Sequence, residues 1–346
     1  MTALTQSQIE NYRPEWIRED FVDFVLGQLN PLWSLRRVKA RVERVELIAD
    51  GMAKLTLIPN GHFQGYVAGQ YILVSVQIDG VTHQRSYSLV STPEEGKLCI
   101  AVKPHGKVSS YLAFRTHPGS VIEISQAQGD FVLSPDNRKP VLLIASGSGI
   151  TPMLSLARQA LEQSSQPVTL LYYSRDPAFL SEFNALKQRY PQFTAHCVNT
   201  LKTSERFSPE ALQGYCPDYR DHLTFVCGAQ QLMAAVDAHW QSAGIKSQLI
   251  SESFLPPKAS LDAMDSPVTF RRSQRQFLAT GNLLESAEQA GLKPAHGCRM
   301  GICNTCVCTK TKGTVRNQLT GELNSDTNVP VRLCITEAVG PVDIDL

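Results

Sequence analysis

A chain of 346 residues with 42% hydrophobic residues is long enough for two or three domains with good cores. Its formal charge of +1 gives no support for nucleic-acid binding, and no apolar run approaches the roughly 18 residues of a membrane span. Nine cysteines, an odd number with five in the last fifty residues, argue against a secreted disulfide scaffold and suit thiolates kept reduced until a metal takes them.

The start of the chain (Glu10, Arg13, Glu15, Arg18, Glu19, Asp20) lacks the apolar core of a signal peptide, so the expected location is the cytoplasm. Residues 14–30 then place Ile17, Phe21, Phe24, Val25 and Leu29 near helical spacing, with Pro14 suited to a first turn and Pro31 stopping the pattern. This predicts one amphipathic helix in an N-terminal extension, 1–35. Its apolar face is expected to dock on its own protein, with a partner or the inner membrane surface as the alternative.

From 36 to 137 the pattern is short alternating segments (VKARVERVELI, AKLTLIP, QYILVSVQI, SYSLV, KLCIAV, SVIEIS) cut by Gly and Pro, which predicts an antiparallel barrel or sandwich. In the segment Gln84–Leu89, strand alternation puts Arg85 and Tyr87 on one face and Ser86 and Ser88 on the other. Arg85 has the planar fork for a pyrophosphate and Tyr87 the ring to stack on a flavin. Downstream, Gly106-Lys107-Val108-Ser109-Ser110-Tyr111-Leu112 reads as a glycine turn opening a helix, whose free amides would receive the same pyrophosphate.

Beyond Pro140, the continuous apolar runs VLLIA and LTLLYY flank the helical stretch MLSLARQALEQ, with LTFVCG and LISESF further on. That alternation predicts a parallel sheet with helices over both faces. The loop Ser146-Gly147-Ser148-Gly149-Ile150-Thr151-Pro152 follows the first of these strands; Thr151 is expected to cap the next helix and Pro152 to open it, leaving amides for a second pyrophosphate. At the end of the second strand, Ser174 and Arg175 suit the 2′-phosphate of NADPH, whereas Asp176 would suit the ribose hydroxyl of NADH; the arginine favours NADPH.

Residues 255–267, rich in Pro, Ser and Asp, read as a linker. A helix NLLESAEQAG follows, with Asn282 and Glu285 at capping-box spacing. Then comes Cys298-x4-Cys303-x2-Cys306 with a distant Cys334, the plant-type spacing for four thiolates on a [2Fe–2S] cluster. Common zinc pairings fit it poorly. Gly297 and Gly301 permit the tight loop, Arg299 and the loop amides are expected to hydrogen-bond sulfur, and Cys308 reads as a packed neighbour.

In this order the segments resemble the ferredoxin-NADP reductase superfamily of flavoproteins with a plant-type ferredoxin domain fused at the C-terminus, over roughly residues 36–346. Arg85, Tyr87 and Ser88 match its RxYS motif, Gly106 and Ser109 its GxxS turn. The 146–152 loop resembles GGxGITP with serine for the first glycine, and Cys227-Gly228-Ala229 resembles CGP with alanine for proline. Glu252 and Phe254 fall where relatives place an acidic residue and an aromatic near the flavin.

The resemblance implies a multidomain fold: an antiparallel β-barrel flavin domain over 36–137, an α/β parallel-sheet nucleotide domain over 138–254, and an α+β, β-grasp ferredoxin-like domain over 268–346. It implies FAD, although relatives of the same domain order bind FMN, and it sets Ser88, Cys227 and Glu252 at the hydride-transfer site with Gly147, Gly149 and Gly228 around the nucleotide. Electrons would pass from NADPH or NADH to FAD, to the cluster, and on to a partner iron enzyme. The domain order resembles phthalate-type oxygenase reductases; the leading NPLWSLRRVKARV resembles reductases of membrane acyl desaturases, and the desaturase is the favoured partner. A flavin and iron–sulfur redox sensor without a substrate partner is the reading from another class.

Overall fold

The computed structural model describes residues 19–49, 51–254, 264–301 and 303–346. Helix α1 (Glu19–Leu29) stops before Pro31; Pro14 and Ile17 of the expected helix lie outside the described residues. Its apolar face is not docked as expected: Phe21, Phe24 and Leu29 are 63%, 63% and 72% exposed, while Val22 and Leu26 are only half-buried. The anchor is polar instead. Asp23 accepts from the Leu35 amide at 2.7 Å and the Ser34 hydroxyl at 3.1 Å, and pairs with Arg37 at 3.3 Å. The Leu35 amide, with Ser34 and Arg37, holds the Asp23 carboxyl below its ordinary range. Helical spacing marks two faces without saying which one meets the protein, and here the ion pair selects it.

Strands β1 (Lys39–Ala49), β2 (Met52–Pro59), β3 (Tyr71–Ile78), β4 (Val81–Ser88), β5 (Leu98–Val102) and, after helix α2 (Lys107–Phe114), β6 (Val121–Ile124) form a sheet in the order β4-β3-β6-β1-β2-β5. All its pairings are antiparallel. Its two edges meet just past β4, where Leu89 bridges Ile100 and the Val90 amide donates to the Cys99 carbonyl at 2.8 Å, so the sheet closes as a barrel and leaves no free edge there. Ala40, Val42, Leu55, Leu57, Ile72, Val74 and Ile100 fill it, and Val108 and Leu112 of α2 join that core.

The next sheet is parallel throughout: β7 (Val141–Ser146), β8 (Val168–Ser174), β9 (Phe193–Asn199), β10 (Leu223–Cys227) and β11 (Leu249–Glu252), in the order β11-β10-β7-β8-β9. Helices α3 (Ile150–Gln163) and α4 (Leu180–Arg189) cover one face; α5 (Pro209–Tyr215) and α6 (Gln230–Ser242) cover the other. Burial on both faces is why these strands read as unbroken apolar runs. Helix α3 begins at Ile150 after a 3-10 turn over Gly147–Gly149, so Thr151 is not its cap; the Thr151 hydroxyl donates to the Ser148 carbonyl at 3.0 Å. Pro152 sits within the first turn, where a missing N–H costs nothing.

The last unit holds β12 (Ser266–Phe270), β13 (Arg275–Ala279), helix α7 (Leu283–Gln289), β14 (Val307–Asn317), β15 (Leu323–Asn324), β16 (Val329–Arg332) and β17 (Thr336–Asp345). Their mixed sheet, with β12 parallel to β17, packs Leu283, Leu284 and Ala287 of the helix into its own core. The Asn282 side chain caps α7 by accepting from the Glu285 amide at 2.8 Å. Within the expected linker, 255–263 lies outside the described residues, and strand β12 already runs from Ser266.

Candidate active site

In the parallel sheet the chain order reverses between β7 and β10, and the crevice beyond the C-terminal ends of such strands is where open α/β sheets take ligands. The turns after these two strands press together there. A Cβ on Gly149 would come within 2.2 Å of the Cys227 carbonyl oxygen, and one on Gly228 within 2.2 Å of Ser146 Oγ, so neither position has room for a side chain. The Ala229 amide donates to Ser146 Oγ at 2.8 Å. This bond joins the two places where the sequence departs from the motifs it resembles. Glycine at 146 would have no hydroxyl to accept, and proline at 229 no N–H to donate.

The crevice opens into a cavity of about 1060 Å³ between barrel and parallel sheet. Arg85, Tyr87, Ser88, Gly106 and Ser109 line it from the barrel; Gly147, Thr151, Ser174, Arg175, Gly228, Glu252 and Phe254 line it from the other side. Burial and the nearby Arg299 hold the Arg85 guanidinium below its ordinary pKa, and burial raises that of the Tyr87 phenol. Ser109 accepts from the His105 and Gly106 amides, each at 3.0 Å, so its hydroxyl closes the turn that opens α2. Ser174 accepts from the Asp176 amide and donates to its carbonyl at 2.9 Å, and the neighbouring Arg175 is exposed and lines the cavity with Thr200 and Arg206. Ser110, Gly149, Pro152 and Cys227 do not line the cavity. Cys227 is fully buried behind the wall with Ala145 and Ile150, and burial pushes its thiol well up. Lys103, His105, Lys107, Thr200, Arg206 and Phe207 also line the cavity and were not singled out by motif. Arg206, in the loop after β9, carried no signal beyond its charge.

Three residues lining the cavity carry a buried polar atom without a partner among the described residues: Ser88 Oγ, Tyr173 Oη and Glu252 Oε2. Burial pushes the Glu252 carboxyl up to about 8. Orphaned polar groups in an otherwise satisfied wall are what a bound heterocycle would complete, so the residues fit a flavin.

One end of the cavity belongs to the last unit. Met300 lines it, as does Tyr71 of the barrel, and both pack with Leu73, Phe254, Cys298 and Cys303 in one apolar cluster. Cys298, Cys303, Cys306 and Cys334 are all 3% exposed or less. The Cys298 amide donates to Cys303 Sγ at 3.3 Å, the Met300 and Cys303 amides donate to Cys298 Sγ at 3.4 and 3.3 Å, and Cys306 Sγ lies 3.4 Å from Cys334 Sγ. Amides aimed at sulfur favour thiolates, so this donor set fits an iron–sulfur cluster. Cys308 instead faces the Val331 carbonyl across β16, and burial pushes its thiol up to about 12. Arg299 does not reach sulfur as expected. Its guanidinium pairs with both Glu288 oxygens, at 2.8 and 2.5 Å, and lies 2.8 Å from His296 Nε2.

The chain matches the models of the oxidoreductase FAD-binding domain over residues 39–133, the oxidoreductase NAD-binding domain over 143–238, and the 2Fe-2S iron-sulfur cluster binding domain over 268–339. It is 31% identical to an NADPH oxidoreductase of Mycobacterium tuberculosis over 338 residues, 94% of this chain and 88% of that protein. A 3-ketosteroid-9-alpha-monooxygenase ferredoxin reductase component, also of M. tuberculosis, is 29% identical over 72% of this chain and 76% of its own. Phthalate dioxygenase reductase shares the fold at a TM-score of 0.62 and 24% identity, over 89% of this chain and 97% of that one. The chain belongs to the ferredoxin-NADP reductase superfamily of flavoproteins with a C-terminal 2Fe-2S domain, and is an NAD(P)H-dependent oxidoreductase using FAD and a [2Fe–2S] cluster.

Proposed function

We propose that this chain draws electrons from NADPH and delivers them one at a time to a partner iron enzyme, through a [2Fe–2S] cluster held by Cys298, Cys303, Cys306 and Cys334. The observation that carries this reading is the shared wall: Tyr71 and Met300 line the large cavity and pack against Cys298 and Cys303. A flavin bound here would supply the conversion between the one hydride, two electrons, that a nucleotide donates and the single electrons that an iron centre takes. The residues supply the placement. Arg85 and the amides opening α2 hold the pyrophosphate of FAD, and Tyr87 covers its ring. Ser88, Glu252 and Phe254 shape the side where nicotinamide meets the ring, with Cys227 supporting that wall from behind. The amides of Gly147 and Ser148 and the guanidinium of Arg175, joined by Arg206, take the phosphates of NADPH.

A fatty-acyl desaturase in the membrane is the favoured acceptor. Supporting this, α1 and the residues after it present Phe21, Phe24, Leu29 and Trp33 to solvent, and the exposed Arg36 and Arg41 follow in the chain, a combination suited to an anionic lipid surface. Among the described residues no helix is long and apolar enough to cross a membrane, so the contact would be peripheral, at the cytoplasmic face. The name of the 3-ketosteroid monooxygenase component supports an iron oxygenase as the second candidate.

Serine replacements test the electron path. Cys306→Ser should lose cluster iron and sulfide, keep flavin, and reduce ferricyanide but not the desaturase; Cys308→Ser should keep the cluster. Full cluster retention in Cys306→Ser would refute the ligand set.

A further inference from the structure

Segment 216–222 links α5 to β10 at the end of the parallel sheet away from the cavity. Cys216 and His222 are 2% and 1% exposed, and Asp218 between them reaches solvent. Their ligand atoms all lie within 4.8 Å of one another, with Cys216 Sγ 3.7 Å from both Asp218 Oδ1 and His222 Nε2. Donors on a tetrahedral zinc stand about 3.5 Å apart for bonds of about 2.0–2.3 Å, so both sulfur pairs are near coordination spacing.

The hydrogen-bond inventory supports a cation more strongly than the distances do. His222 Nδ1 lies 3.0 Å from the Asp218 carbonyl oxygen, which can only accept. That contact fixes the Nδ1–H tautomer and turns the Nε2 lone pair toward the sulfur, the orientation a backbone carbonyl gives to metal-bound histidines. Cys216 has a single S–H proton, and it faces two acceptors, Nε2 and Oδ1. One weak donor cannot serve both acceptors, whereas a cation at their focus serves every lone pair in the trio.

We propose that Cys216, Asp218 and His222 form a binding site for one zinc-class divalent cation, with a water entering beside Asp218 as the fourth ligand. Binding forms a metal–sulfur bond, the Cys216 thiol proton leaves to solvent, and no oxidation state changes. Nothing in the electron path uses these residues, and the ion would clamp the segment that leads into β10.

The test is a Co²⁺ titration of the full-length protein carrying flavin and cluster, after chelator treatment that leaves its iron and sulfide content unchanged. The expected result is one Co²⁺ per chain, with a thiolate-to-cobalt charge-transfer band and tetrahedral d–d absorption in the difference spectrum, both displaced by Zn²⁺. Cys216→Ala should abolish the charge-transfer band. Asp218→Asn, a change at an exposed position that spares the buried core, should weaken Co²⁺ binding at least tenfold without altering flavin or cluster content. No stoichiometric uptake, or a band that survives undiminished in Cys216→Ala, would overturn the site and leave the trio as a hydrogen-bonded turn.

Discussion

Glu252 shows how far the fold can move a single proton. Burial favours its neutral acid from the ordinary 4.5 up to about 8, so between these values the folded chain keeps a proton that the unfolded chain gives up. The native state therefore loses stability as pH rises through that window, and the loss levels off above about 8. Glu252→Gln carries no such proton; its melting temperature should gain on the parent's from about pH 5 to pH 8 and then hold a constant lead. A lead that does not change with pH would show that Glu252 is ionised in the fold. Ser146 and Ala229 make a second residue-scale case. Ser146→Gly should cost about 0.5–1.5 kcal/mol by removing the hydroxyl that the Ala229 amide uses. Combining it with Ala229→Pro should cost less than the sum of the single changes, because the proline needs no acceptor. Additive losses in denaturant melts would mean the two departures from the motifs are unrelated. Both residues were visible in the sequence as departures, but their bond joins positions far apart in the chain and could not be.

Among the elements, the cysteine loop needs glycine at one position where nothing larger fits. Gly301 has φ +77°, and a Cβ there would meet Ile335 side-chain carbons at 2.7 Å, one residue from Cys334. Gly301→Ala should therefore lower cluster occupancy and the melting temperature, whereas Gly61→Ala, with open space around it, should do neither. Equal iron content in both proteins would remove the steric argument. This loop was legible because cysteine spacing and glycine chemistry are local, as was the Asn282 cap. The start of α3 was not: Thr151-Pro152 looks like a cap and a first residue, but the turn over Gly147–Gly149 runs straight into the helix, two residues early. The apolar stripe of α1 was legible as a stripe; that Asp23 ties the opposite side to Ser34 and Leu35 was not.

At the level of the whole molecule, three domains in order could be read from strand texture, glycine loops and cysteine spacing, because each signal lies within one domain. The docking between domains left no such trace. Tyr71, Leu73, Phe254, Met300, Cys298 and Cys303 come from three separate stretches of chain, and Tyr71, Leu73 and Met300 each read alone as an ordinary core residue. Yet this contact makes the cluster the natural exit for electrons from the cavity. The most direct test is to mix the full-length protein, loaded with flavin and cluster, anaerobically with NADPH, freeze samples through a single turnover, and follow flavin absorbance beside the electron paramagnetic resonance of the cluster. The reduced-cluster signal should grow in after flavin bleaching, at least as fast as steady-state turnover with a one-electron protein acceptor. A flavin that stays reduced beside an oxidised cluster over the same interval would contradict the path through Tyr71 and Met300.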